Sequence, residues 1–144
     1  MIFPFHELHF HIGSPGGWRG PGTTFQVKGS QLQYWKNQQT TRPPTVTRQL
    51  SAHEWQRFLE RLTEVDFWNW LVHYKPAHII LDGTIWSVQV DVSSLAHTSS
   101  GENAYPADTD PKAVSTGQYS ERFIGLLNAL TELVGNDPSH DPIS

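Results

Sequence analysis

The chain has 144 residues, six Trp, no Cys, a formal net charge of −4 and only 17% charged residues. That length fits one domain around one core, and the charge gives no basic footprint for a phosphate backbone, which excludes nucleic acid and anionic membranes as expected partners. Without Cys there is neither a disulfide framework nor a Cys-type zinc site, and aromatic rings must fill much of the core.

Residues 5–12 alternate as a half-buried strand, with His6, Leu8, Phe10 and Ile12 on one face and Phe5, Glu7, His9 and His11 on the other. Residues 13–22 hold five Gly and two Pro and read as a loop. Within it Trp18 reads as a ring folded over the sheet edge, with a ligand-facing ring as the alternative. Residues 23–28 alternate again, Gly29-Ser30 is a tight turn, and 31–36 return antiparallel. A polar stretch ends in Pro43-Pro44, after which residues 45–50 form a further strand carrying Val46 and Leu50 on one side.

Ser51 followed three residues later by Glu54 is a capping box, so a helix begins there. Trp55, Phe58, Leu59 and Leu62 make its apolar stripe, opposite Gln56, Arg57, Glu60 and Arg61. Residues 65–76 are too aromatic for a solvated linker. They read as a packed corner in which Trp70 and Tyr74 are the groove-lining candidates.

Residues 78–81 are expected to form a short strand, and Asp82-Gly83 a hairpin turn. Residues 84–92 alternate throughout, sending Trp86, Val88, Val90 and Val92 one way and Ile85, Ser87, Gln89 and Asp91 the other, as a central strand would. Residues 101–106 are read as its returning strand, with Pro106 at an edge and Asn103 and Tyr105 on a shared face. The polar stretch 107–119 is expected to be disordered. A second amphipathic helix starts at the N-cap Ser120, carries Phe123, Leu126, Leu127, Leu130, Leu133 and Val134, and stops at Gly135. The expected architecture is a two-layer α+β domain over residues 1–135, an antiparallel sheet of five to six strands with two helices packed on one face. Residues 136–144 read as a flexible tail.

The N-terminal hairpin, Glu54-Trp55 with Phe58, Trp68-x-Trp70 followed by Tyr74, Asp82-Gly83-x-x-Trp86, Asn103-Ala104-Tyr105-Pro106 and the closing Leu-rich helix together resemble a family of small bacterial proteins. The resemblance covers nearly the whole chain. It implies a fold and no activity.

No nucleophile elbow, Walker loop or dinucleotide fingerprint occurs, so residues 13–22 read as conformational rather than phosphate-binding. Asp108-x-Asp110 lacks the Gly and the distant Glu of a calcium loop and reads as a solvated turn. Glu7, His9 and His11 share a strand face, and the two imidazoles would stand about 7 Å apart, from roughly 3.3 Å per residue. Asp91, His97 or His78 would have to complete a metal site. The preferred reading is solvated histidines on an open sheet face, with no metal and no cofactor.

Asp82, Trp86, Asn103 and Tyr105 read first as structural residues. The alternative is a shallow pocket in which Asn103 and Tyr105 offer polar groups beside Trp70 and Tyr74, making these four the candidate ligand-binding residues for a peptide or small molecule. The function expected is a non-enzymatic binding or interaction protein, of the bacterial immunity or inhibitor type, with an unidentified protein or small-ligand partner. The alternative is a metal-dependent hydrolase using His9 and His11. With no signal-like start and no long apolar run, a cytoplasmic location is the default expectation.

Overall fold

A computed structural model of the chain describes residues 6–17, 19–76, 83–93 and 95–135. The expected strand at 78–81, Trp18, Asp82 and the tail at 136–144 lie outside the described residues. The elements are β1 (His6–Gly13), β2 (Thr23–Lys28), β3 (Gln31–Trp35), β4 (Val46–Gln49), α1 (Ala52–Glu64), β5 (His73–Tyr74), β6 (Ile85–Val92), β7 (Leu95–Glu102), β8 (Ala104–Pro106), β9 (Val114–Thr116) and α2 (Glu121–Val134). A single 3₁₀ turn occurs at Phe67–Asn69, and Pro15–Gly17 is a tight turn in which Gly16 and Gly17 take positive φ.

The main sheet has seven strands in the order β4-β3-β2-β1-β6-β7-β5, and β8 with β9 makes a separate two-stranded sheet. The fold is α+β and mostly antiparallel, with one parallel pair, β5 to β7. The expectation of five to six strands in two simple layers is therefore corrected. Two short pieces, β5 and β9, escape notice because two or three residues carry no period, and β8 with β9 joins the helices over the same face of the main sheet.

The β1–β4 meander follows from strict alternation, which buries Leu8, Phe10, Phe25, Val27, Leu32 and Tyr34 on one side. Strand β6 lies inside the sheet beside the middle strand β1, with Trp86, Val88 and Val90 on the buried side. Both its edges are occupied, by β1 and by β7. Its returning strand begins at Leu95 rather than at residue 101, across a tight turn at Ser93, whose φ of 48° is left-handed. Asn103, at φ 51°, ends β7 and diverts the chain into β8.

The helices close the core. The Ser51–Glu54 capping box forms as expected, both hydrogen bonds being 3.1 Å, and Trp55, Phe58 and Leu62 pack on the sheet. Helix α2 contributes Phe123, Leu126, Leu130 and Leu133 to the same cluster. Residues 107–119 are structured: β9 pairs with β8, and the Asp108 carboxylate accepts from the main-chain N–H of Glu121 and of Arg122, at 3.2 and 3.0 Å. With Ser120 Oγ accepting from Phe123 N–H at 3.2 Å, three amides of the α2 N-terminus are satisfied. Asp108 thus caps a helix instead of occupying a solvated turn.

Candidate functional site

Trp70 and Tyr74, from the segment after α1, and Tyr105, from β8, converge on Trp86 of β6. Their ring centroids stand 6.0, 6.1 and 6.4 Å from the Trp86 ring. All three side chains are interior, 2%, 0% and 1% exposed respectively. Their polar ends are consumed inside the fold. Trp70 Nε1 donates to the Val65 carbonyl at 2.9 Å. The Tyr74 hydroxyl donates to the Pro111 carbonyl and accepts from the Leu71 N–H. The Tyr105 hydroxyl is hydrogen bonded to the Thr84 side chain. Burial pushes both phenols up to about 12, so neither is poised for proton transfer near neutrality. Asn103 sits apart at the end of β7, its main-chain N–H donating to the Thr84 carbonyl at 2.6 Å. The structure brings three of the four predicted residues together as core and places the fourth in a turn; the ring cluster itself offers a ligand no open face.

The other face of the main sheet is different. Register aligns Gln33, Gln26, His9, Gln89 and Thr98 in one row across five strands, from β3 through β2, β1 and β6 to β7. A second row runs Thr24, His11, Ser87 and Ser100, and a third runs Gln31, Lys28, Glu7 and Asp91. Nearly all of these side chains are exposed or half-exposed, Thr24 being buried. The arrangement follows from period-2 alternation: whatever is polar at every second position arrives on this side. At one end Trp35 is buried outside the main core, with its Nε1 donating to the Arg42 carbonyl at 2.8 Å.

His9 and His11 stand on this face, and His11 Nδ1 is hydrogen bonded to Thr24 Oγ1 at 2.8 Å. Burial lowers the titration of both imidazoles, and the neighbouring His9 lowers that of His11 further. Among the described residues no group of three or more His, Asp or Glu side chains is placed to hold a metal ion. Of the ligands imagined to complete such a site, His97 points elsewhere: its Nε2 donates to the Trp70 carbonyl at 2.9 Å, and its ring stands edge-on to Phe67.

Sequence reasoning also passed over a cavity of about 340 Å³ at one end of the sheet, beside the Gly-rich loop, reached by Lys36, Asn37, Thr84 and Tyr119. Its only sequence signal was the run of Gly at 13–22. No helix among the described residues is long and apolar enough to cross a membrane. No protein-family model matches the chain, and no curated protein matches it significantly.

Proposed function

We propose that the chain is a non-enzymatic binding protein that engages a protein partner through the polar face of its seven-stranded sheet, in the manner of an immunity protein or inhibitor. The observation that supports this is the face itself, open except at the end where Trp35 and Thr24 are covered. Seven strands spaced by roughly 4.8 Å, with central strands of eight residues at about 3.3 Å each, present on the order of 700 Å². A standard protein interface buries about 800 Å² on each partner. The side chains on offer are amides, hydroxyls and imidazoles on rigid strands, suited to hydrogen bonding without the ordering cost of a loop surface.

Catalysis has less to stand on. The two imidazoles lack a third metal ligand among the described residues, and the buried phenols are sealed in the core. The test is affinity capture from a native lysate with three baits: wild type, a sheet-face double variant Gln26→Arg with Gln89→Arg, and a helix-face control Gln56→Arg. The reading expects a partner retained by wild type and control and lost by the double variant, with all three baits melting alike. Recovery of the same partners by all three, or of none by wild type, overturns it.

A further inference from the structure

The cavity beside the Gly-rich loop lies where β1 ends, β2 begins, β3 ends and β6 is about to start. Its volume of about 340 Å³ is at the small end of ligand cavities, which run from roughly 300 to 1,000 Å³. Two glycines are obligatory in its wall. A Cβ on Gly22, whose φ is 81°, would stand 2.5 Å from the Ile12 carbonyl, and one on Gly83 would stand 2.7 Å from Asn103 Cβ. The wall is therefore built partly of bare peptide groups.

Apart from Ile12 the other side chains of the lining are polar, with two cations and no carboxylate among them. Arg19 and Lys36 bring charged donors, the Asn37 carboxamide brings a donor and an acceptor, and the Tyr119 hydroxyl brings an acceptor, while the hydroxyls of Ser14 and Thr84 are already engaged with Arg19 N–H and with Tyr105. Several of these are held in place: Arg19 N–H donates to Ser14 Oγ at 2.8 Å, and Asn37 N–H donates to Thr23 Oγ1 at 3.2 Å. Tyr119 supplies the one ring of the lining, 37% exposed. It is fixed by Tyr105, edge-on at 5.2 Å, and by Phe123 at 5.1 Å.

We infer that this cavity binds a neutral hydroxylated ring, a single sugar unit or the end of a disaccharide. Such a ring has C–H edges that lie on an aromatic platform and a rim of hydroxyls that each need a donor and an acceptor, and the lining supplies both. Arg19 and Lys36 would suit a phosphate as well, but among the described residues no open helix N-terminus is there to add to them. The Gly-rich loop leads into a strand and not a helix, and the α2 amides next to Tyr119 are already taken by Asp108 and Ser120. The site adjoins the sheet face at His11, which lies beside Gly13 and Gly22 of its wall, but it does not depend on the partner proposed for that face.

The test is saturation-transfer NMR on the full chain with D-glucose, D-galactose, N-acetyl-D-glucosamine and maltose in turn, and with inorganic phosphate followed by amide shifts. At least one sugar is expected to bind in the millimolar range. Tyr119→Ala should weaken it about tenfold through loss of the platform. Asn37→Gly should weaken it by a similar factor, roughly what a lost polar contact costs, while keeping the left-handed backbone that Asn37 adopts at φ 50°. Because glycine suits that φ, this variant keeps the experiment decisive even if Tyr119→Ala does not fold. Silence from all four sugars, a signal that survives Asn37→Gly unchanged, or shifts of the loop amides by phosphate alone would each overturn the assignment.

Discussion

Arg122 and Trp70 donate to the same acceptor, the Val65 carbonyl, from Nη1 at 3.2 Å and from Nε1 at 2.9 Å. The guanidinium also reaches the carbonyls of Ala107, through Nε at 2.9 Å, and of Asp108, through Nη2 at 3.1 Å. One side chain on the first turn of α2 therefore ties down the end of α1, the aromatic corner and the chain that leads out of β8. Arg122→Met is expected to cost about 2 kcal/mol, since it strips charged donors from half-buried carbonyls. Arg122→Lys should recover little, because an ammonium cannot reproduce a planar fork. Urea unfolding checks this: the midpoint should fall while the slope stays constant.

Glu54 gives a prediction in pH. Burial pushes its carboxyl up, but hydrogen bonds from Arg48 Nη1 at 2.6 Å and from the Ser51 N–H, with the Arg48 charge, leave it below the usual carboxylate range. A depressed folded value means the stabilisation is complete above the unfolded value and is lost as pH falls through the folded one. Glu54→Gln should cost about 1 kcal/mol at neutral pH, by weakening the capping box and the Arg48 pair. The gap between the two proteins should narrow as pH falls below the usual carboxylate range and close once the folded carboxyl is protonated. A gap that stays constant with pH would contradict the assignment.

Gly101 is fixed by crowding. It faces Trp86 in register across β6 and β7, and a Cβ there would press on both the Ala104 carbonyl and the Trp86 indole nitrogen. Those two groups are hydrogen bonded to each other at 3.0 Å. Gly101→Ala is expected to cost about 3 kcal/mol, from overpacking plus a broken buried hydrogen bond. It should also diminish the near-UV circular dichroism that arises from the rings around Trp86.

On the open sheet face, burial first, and the His9 charge second, lower the titration of His11. Both histidines should titrate below 6.5 when followed by imidazole proton shifts. The sign follows from linkage: the unfolded chain takes up these protons first, so their contribution is intact above about pH 6.5 and declines as pH falls through the folded values. His9→Gln should raise the titration of His11.

Much of this fold was legible because its signals are local. Ser51 with Glu54 marks the start of α1, Ser120 with Gly135 marks both ends of α2, and alternation marks β1 to β3. The second half was misread where local chemistry is weak. Strand β7 reads Leu-Ala-His-Thr-Ser-Ser-Gly-Glu, with almost no apolar face, because one flank of it is covered only by the 70–74 segment. Its turn runs through Ser93 in a left-handed conformation with no glycine to announce it.

The four residues nominated for a ligand show a second limit. Trp70, Tyr74 and Tyr105 each carry an apolar body and a polar tip, which suits a pocket wall and a packed core equally well. What decides between them is the partner of the tip. Those partners, the carbonyls of Val65 and Pro111 and the side chain of Thr84, are spread over the chain, as far as 37 residues away in the case of Tyr74.

The order β4-β3-β2-β1-β6-β7-β5 leaves the first strand waiting for its second neighbour. Strand β1 ends at Gly13 and β6 starts at Ile85, so at about 5–20 residues per second the ribosome needs roughly 4 to 14 s to deliver the strand that seals it. Throughout that interval the nascent meander carries an unpaired edge backed by Leu8 and Phe10. The residues that alternate with them, Glu7, His9 and His11, put charge and polarity along that edge, which discourages two growing chains from pairing there. Polar side chains at these positions are thus useful to the unfinished meander whatever they do in the finished sheet.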